Sequence, residues 1–437
     1  MTIDHKYQVP TVAVHTDIFE RVTRSVARVN GMPKMRQAYV PQPVMGKSPA
    51  ELRAYIEGND MVSGRPFMQE VIDGLTTPLD SEGAQGISFD RSTPRLVEPD
   101  TEDNLHQLFL DRHWTDTLPI VLPTEARVEA MLRGTSHKPD EVVGHMRPTG
   151  FREFWEFTVE KVAVNAVMAG CKPEYLPILL ALASTGASAR ASTTSSAAAM
   201  AVVNGPIRHE LKMNSGIGAM GPYNHANATI GRAWGLLSQN LQGGSEPGLS
   251  YLGSQGNNYA YTSITYAENE ERSPWEPLHV QHGFKAEESA VSPFGGCRST
   301  AFTLGIHEKY WQEHVRNLLR GMDPHNSPCY VLDPITARQF VDRGIKTKEA
   351  LIDWTYENAR MPAGEYWSYQ LIQNYVYPRA TYGEEPYASL LKAKPDELIP
   401  MYTRDEIQVV VVGGETNGYW RIMGGGHRGT TSVDKWR

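Results

Sequence analysis

The sequence predicts an α/β or α+β fold, a mixed sheet with helices, preceded by an N-terminal extension that wraps over a neighbour. Three observations carry that prediction. Apolar runs of strand length, AVVNGPI and EIQVVVVGG, alternate with segments of helical period, the order that builds layered sheet-and-helix domains. EIQVVVVGG is apolar without alternation, as in strands covered on both faces. Composition is that of an ordinary globular chain, with 40% hydrophobic, 21% charged and 9% aromatic residues, and 437 residues allow one large or two medium cores.

Three stretches follow in order. Residues 1–100 read as an extended, irregular arm, because VPQPVMGKSP, SGRP and DSEGAQG separate short apolar pieces. One helix is expected there, over Pro49–Glu57, with Ser48 as cap and Pro49 in the first turn. Residues 101–190 form a helical or αβ module. LPIVLPTEARVEAMLRGT gives an apolar run and a helix between a Thr124 cap and a Gly134 stop. FTVEKVAVNAVMAGCKPEYLPILLALAST gives two apolar helices hinged at Gly170–Pro173, since Pro173 lacks the helical donor. Residues 191–437 form the α/β core carrying the candidate site. The Ser/Thr/Ala-rich stretch 184–200 reads as a linker or as a close-packed small-residue segment. A strand then ends at Asn204-Gly205-Pro206, a glycine-bearing loop follows, and a helix begins that Asn227 can cap. YAYTSITYAE reads as a strand, SPFGGCRSTAF as the start of a turn, and VLDPITARQFVDRGIKTKEALIDWTYENAR as strand, helix, Gly344 turn and helix. No internal repeat is visible.

Several classes are excluded at this level. The formal net charge is -8, with Lys and Arg scattered, so nucleic acid is not an expected partner. No run of eighteen apolar residues occurs, and MTIDHKYQVP lacks a secretory layout, so no membrane association is expected and the chain is placed in the cytoplasm. The three cysteines, Cys171, Cys297 and Cys329, are too few and too scattered for a disulfide framework.

Three constellations can carry chemistry. The loop Asn214–Asn227 brings Asn214, Ser215, Gly216, Asn224, His225 and Asn227 before a helix that carries Arg232. Exposed backbone amides at a helix start can hold a carboxylate or phosphate, Arg232 can complete the clamp, and His225 can move a proton. Each of these residues can equally be structural. The second constellation is YAENEERSPWEPLHVQHGF. In extended geometry Glu268 and Glu270 share a face, and adjacent carboxylates raise one pKa, as a general acid requires; Glu271 and His279 lie within reach. Glu276, His279 and His282 have a donor spacing compatible with zinc, iron or manganese, although Pro274 and Pro277 oppose a regular helix. A solvated acidic loop is the plain alternative. The third comprises Cys171 and Cys297, which are either reactive thiols or packing residues, and MGGGHRGTT, in which His427 and Arg428 can form an anion nest or belong to a mobile tail.

The phrases VEKVAVNAVMAGCKPEYLPILLA, VNGPIRHELKMNSGIGAMGPYNHANATIGRA, YAENEERSPWEPLHVQHGF and VVVVGG resemble the large chains that accompany UGSC-type proteins, over about residues 105–437. Those partners are small chains or domains named for a selenocysteine- or cysteine-Gly-Ser-Cys motif, and they are similar to glycine-reductase components. This chain contains neither motif, so the resemblance implies that a separate small UGSC/CGSC-type subunit supplies it. The expected function is a subunit of a homo- or hetero-oligomeric enzyme acting on a small anionic organic substrate by acid/base addition–elimination or hydrolysis, with a divalent metal as an optional aid. Thiol- or selenol-coupled reductive cleavage and a non-catalytic scaffold are the alternatives.

Overall fold

The computed structural model describes residues 9–29, 32–44, 46–78, 94–146, 155–190, 197–242, 253, 255–297 and 300–437. In the N-terminal segment, β1 (Ala13–Thr16) pairs in parallel with β2 (Gln37–Val40), and helices cover Glu20–Val29, Pro49–Glu57 and Phe67–Thr76. The described part of the arm is therefore regular, contrary to the expectation of an irregular one. Its elements are short, so proline and glycine punctuation dominates the pattern while Ala38, Val40 and Phe67 still make a small core. The expected helix over Pro49–Glu57 is present. Ser48 accepts from Glu51 N, and the Glu51 carboxylate accepts from Ser48 N in return.

The body contains β3 (Val142–Met146) paired antiparallel with β4 (Trp155–Thr158), then β5 (Ala198–Asn204), β6 (Thr265–Ala267) and β7 (Ala290–Cys297). After these come β8 (Thr300–Leu304), β9 (Pro328–Leu332), a small ribbon of β10 (Arg360–Pro362) and β11 (Leu398–Pro400), β12 (Gln408–Val411), β13 (Tyr419–Gly424), β14 (Gly426–His427) and β15 (Thr431–Ser432). One mixed sheet has the order β14-β7-β5-β6, with β15 also on β7; the other runs β12-β9-β13-β8. SPFGGCRSTAF, expected to begin a turn, supplies strand residues of both sheets, because its residues pair on either side of positions 298–299.

Side-chain alternation shows how the layers stack. Met200 and Val202 of β5 share a buried cluster with Cys329 and Val331 of β9 and Val410 of β12, so the two sheets face each other. The opposite residues of β5, Ala199, Ala201 and Val203, pack on the helices Val159–Met168, Leu176–Ser184 and His225–Gln242. Tyr330, Leu332, Val409 and Val411 face the helices Trp311–Arg320, Pro334–Asp342 and Lys348–Asn358. Helices thus cover the outer face of each sheet. The core between the first sheet and its helices runs from Phe109 through Leu241, Ala267 and Val291 to Trp436, so the sequence-based boundary at residue 190 does not separate two cores.

The two sheets repeat one topology. In the first, β5 is parallel to β6 and antiparallel to β7; in the second, β9 is parallel to β12 and antiparallel to β13. The strand after each set then crosses over. β8 follows β7 but pairs with β13, and β14 follows β13 but pairs with β7. Gly295-Gly296-Cys297-Arg298 and Gly425-Gly426-His427-Arg428 occupy corresponding places in sequence. An internal repeat is therefore present, although the sequence pattern conceals it, because only backbone pairing and a short glycine phrase are retained. Gly425 is required at the crossing: a Cβ there would lie 2.7 Å from Cys297 Sγ.

Candidate functional site

The acidic segment after β6 is held between the two sheets. Glu268 is fully buried, and its carboxylate accepts from Lys348 Nζ at 2.7 Å, Asn204 Nδ2 at 2.7 Å, Leu278 N at 2.6 Å and Val411 N at 3.3 Å. Burial works to raise its pKa, but the Lys348 charge and the converging donors outweigh this and hold it below the ordinary carboxylate value. Glu270 accepts from Gly205 N at 2.8 Å and Asn204 Nδ2 at 2.9 Å, and its other oxygen pairs with Arg208 at 2.9 Å. Glu271 pairs with Arg208 at 2.9 Å and with His209 at 2.8 Å. The hydrogen bond from Arg208 is the chief reason its carboxyl falls to about 2. The idea that adjacent carboxylates raise one pKa is thus corrected. Arg208 and Lys348 are interleaved with them, two cations that lie 60 or more residues away in sequence.

The turn that delivers these contacts needs glycine. Gly205 has φ +81, and a Cβ on it would fall 2.2 Å from Glu288 O.

The loop before the long helix is tied to itself. Asn214 Nδ2 donates to Asn224 Oδ1 at 2.8 Å, and Asn224 Nδ2 donates to Gly218 O at 2.7 Å and Gly221 O at 2.9 Å. Asn227 accepts from Asn214 N and donates to Asn214 O and Ala219 O, so it braces the loop and does not cap the helix, which starts at His225. Gly216 N is taken by Asn214 Oδ1, and Ser215 O by Gly413 N. His225 lies 3.4 Å from the Tyr175 hydroxyl. Arg232 closes on Asp116 with bonds of 3.0 and 2.8 Å, so its guanidinium is matched within the fold.

Glu276 is exposed, and His279 sits on the one-turn helix Leu278–Gln281, fully buried, with both ring nitrogens lacking hydrogen-bond partners. His282 points elsewhere and stacks on His427 with ring centroids 4.2 Å apart. Among the described residues no group of three or more His, Cys, Asp or Glu is arranged to hold a metal ion. Burial pushes the Cys171 and Cys297 thiols up to about 12 each, the reverse of the depression that a reactive thiolate needs.

The C-terminal glycine phrase fares differently. It is neither a tail nor a turn: β13 and β14 carry it across to β7, where Gly426 pairs with Gly295. This crossing forms part of a cavity of about 340 Å³ whose lining includes Gly295, Gly296, Gly425, Gly426, His427 and Arg428. Neither Glu268 nor any residue from Asn214 to Arg232 lines it. His427 packs against Phe294, and its Nε2 is 3.1 Å from Thr430 Oγ1. Burial, with the neighbouring His282, lowers its pKa to about 4. Arg428 is exposed, lies against the bare Gly295 backbone and has no ion-pair partner among the described residues. Tyr366, Tyr387, Tyr402 and Glu406 also line the cavity. Sequence reasoning missed them; the tyrosine density of YWSYQLIQNYVYPRATYGEEPY was the available signal for Tyr366 and Tyr387, and nothing local marked Tyr402 or Glu406.

No helix among the described residues is long and apolar enough to cross a membrane. No curated protein and no solved structure matches the chain. The UGSC family model matches residues 6–62, within the N-terminal arm and outside the region on which the resemblance was read. That segment is therefore similar to the UGSC family model, and it contains no cysteine.

Proposed function

We propose that this chain is an enzyme subunit acting on a small anionic organic substrate by acid/base addition–elimination or hydrolysis, with the substrate seated at the glycine crossing. The observation that carries the reading is the cavity itself, which joins a cation without a carboxylate partner to backbone free of side chains and to a histidine. Arg428 binds the anionic group. The glycines let substrate approach the main chain closely. His427, its pKa lowered to about 4, is neutral at pH 7 in the free chain; a bound carboxylate beside it raises that pKa toward neutrality and lets the ring accept a proton from substrate or water.

In this reading the carboxylates of Glu268, Glu270 and Glu271 act on the scaffold and not on the substrate, as their saturated hydrogen bonding supports. A divalent ion and a separate cysteine- or selenocysteine-bearing subunit remain part of the proposal as additional components. The cytoplasm is the proposed compartment.

The test is incubation of the purified chain, alone and with co-purifying subunits, with a panel of small organic acids followed by proton NMR. Conversion by the wild type and a loss of about 10²–10⁴-fold in His427→Asn are expected. Conversion at the wild-type rate by His427→Asn would remove the histidine from the chemistry. A scaffold subunit, the second reading, would neither convert nor bind any acid.

A further inference from the structure

The cavity carries charge of both signs. Arg428 stands on the wall made by the crossing strands, while Asp405 and Glu406 stand on the wall that leads into β12. All three are exposed, and none has an ion-pair partner among the described residues. Arg379, the other arginine of the lining, is already matched: its Nε donates to Glu384 Oε2 at 3.0 Å, and its guanidinium covers the Tyr387 ring at 4.5 Å. Each unmatched charge therefore faces a shared space in which a ligand can supply its complement.

We infer that the ligand of this cavity is a linear zwitterion, an amino-alkyl carboxylate whose carboxylate meets Arg428 and the glycine crossing and whose ammonium meets Glu406 and the tyrosine wall. The inference rests on the proposed anion site and names its substrate class. Size agrees: a cavity of about 340 Å³ lies at the lower end of the roughly 300–1,000 Å³ usual for small-molecule sites, which suits a short linear ligand. Chemistry agrees as well. Tyr366 and Tyr387 are both buried against the Glu406 side of the site, and burial followed by neighbouring charges, Glu406 among them, raises both phenols. The Tyr387 ring is already covered by Arg379, which leaves Tyr366, beside the Glu406 carboxylate, to attract an ammonium through the ring quadrupole as well as the charge. A simple carboxylic acid would leave Asp405 and Glu406 repelling it. A simple amine would leave Arg428 unanswered.

The experiment is titration calorimetry of the full chain with β-alanine, γ-aminobutyrate and ε-aminocaproate, set against butyrate and butylamine. Wild type, Arg428→Gln, Glu406→Gln and Asp405→Asn/Glu406→Gln are compared, with thermal melts to verify folding. The best zwitterion is expected to bind wild type about tenfold or more tighter than butyrate. Glu406→Gln or the double variant should erase that margin while leaving butyrate binding intact or improved, and Arg428→Gln should weaken both ligands. Equal binding of butyrate and every zwitterion to wild type would overturn the inference and leave the anion site standing. Absence of binding by every compound to folded wild type would overturn both.

Discussion

At the scale of single residues, charge placement separates structural from chemical groups. Lys348 and Glu268 are both almost fully buried and joined at 2.7 Å. Removing one member strands the other without solvent, so Lys348→Met should cost about 3–5 kcal/mol in urea unfolding. The double variant Lys348→Met/Glu268→Gln should recover much of it, and equal loss in single and double variants would show that packing, not charge, dominates. His427 gives a sign that can be checked. Its folded pKa is depressed to about 4 from an ordinary 6.5, so the unfolded chain binds the proton more readily. Its contribution is complete above the ordinary value and is lost as pH falls from 6.5 toward 4. Thermal melts of wild type should decline across that window more than those of His427→Phe, and an NMR titration should find its ring still neutral at pH 5.5. Glu271 acts in the same direction lower down, with stability present above 4.5 and lost as pH falls toward 2, damped by its exposure.

At the scale of elements, what the sequence disclosed was local. The Ser48 capping box, the break between Val159–Met168 and Leu176–Ser184, and the pair of helices on either side of Gly344 all arise from neighbours within a few residues, and all are present. Ser48→Ala should cost about 1 kcal/mol, read as faster amide exchange confined to residues 49–57. Short strands were less legible. YAYTSITYAE yields only Thr265–Ala267, with a 3-10 turn over Asn258–Tyr261, because pairing with β5 and not alternation decides its extent. The candidate site was legible only where one segment sufficed. His427 and Arg428 could be singled out from their glycines, whereas Glu406, Tyr366 and Tyr387 meet them through tertiary packing that no spacing encodes. The carboxylates misled for the same reason, since Arg208 and Lys348 reach them across the fold.

At the scale of the whole molecule, the reciprocal crossing makes each half dependent on the other. β8 completes the sheet of β9, β12 and β13, and β14 and β15 complete the sheet of β5, β6 and β7. Fragments 94–305 and 306–437, expressed apart, should show no cooperative melt, and mixing them after co-refolding should restore one. A cooperative transition in either fragment alone would contradict the interdependence of the sheets.

The crossing also sets a timetable for synthesis. The first sheet waits for strands that lie more than a hundred residues beyond β7, and Trp436 must arrive before the core it shares with Leu176–Ser184 is closed. At roughly 5–20 residues per second, a ribosome leaves β7 with an open edge for several seconds. A nascent chain in that interval is a client for holding chaperones, and slow translation through residues 300–430 should lower its yield more than slow translation before residue 200.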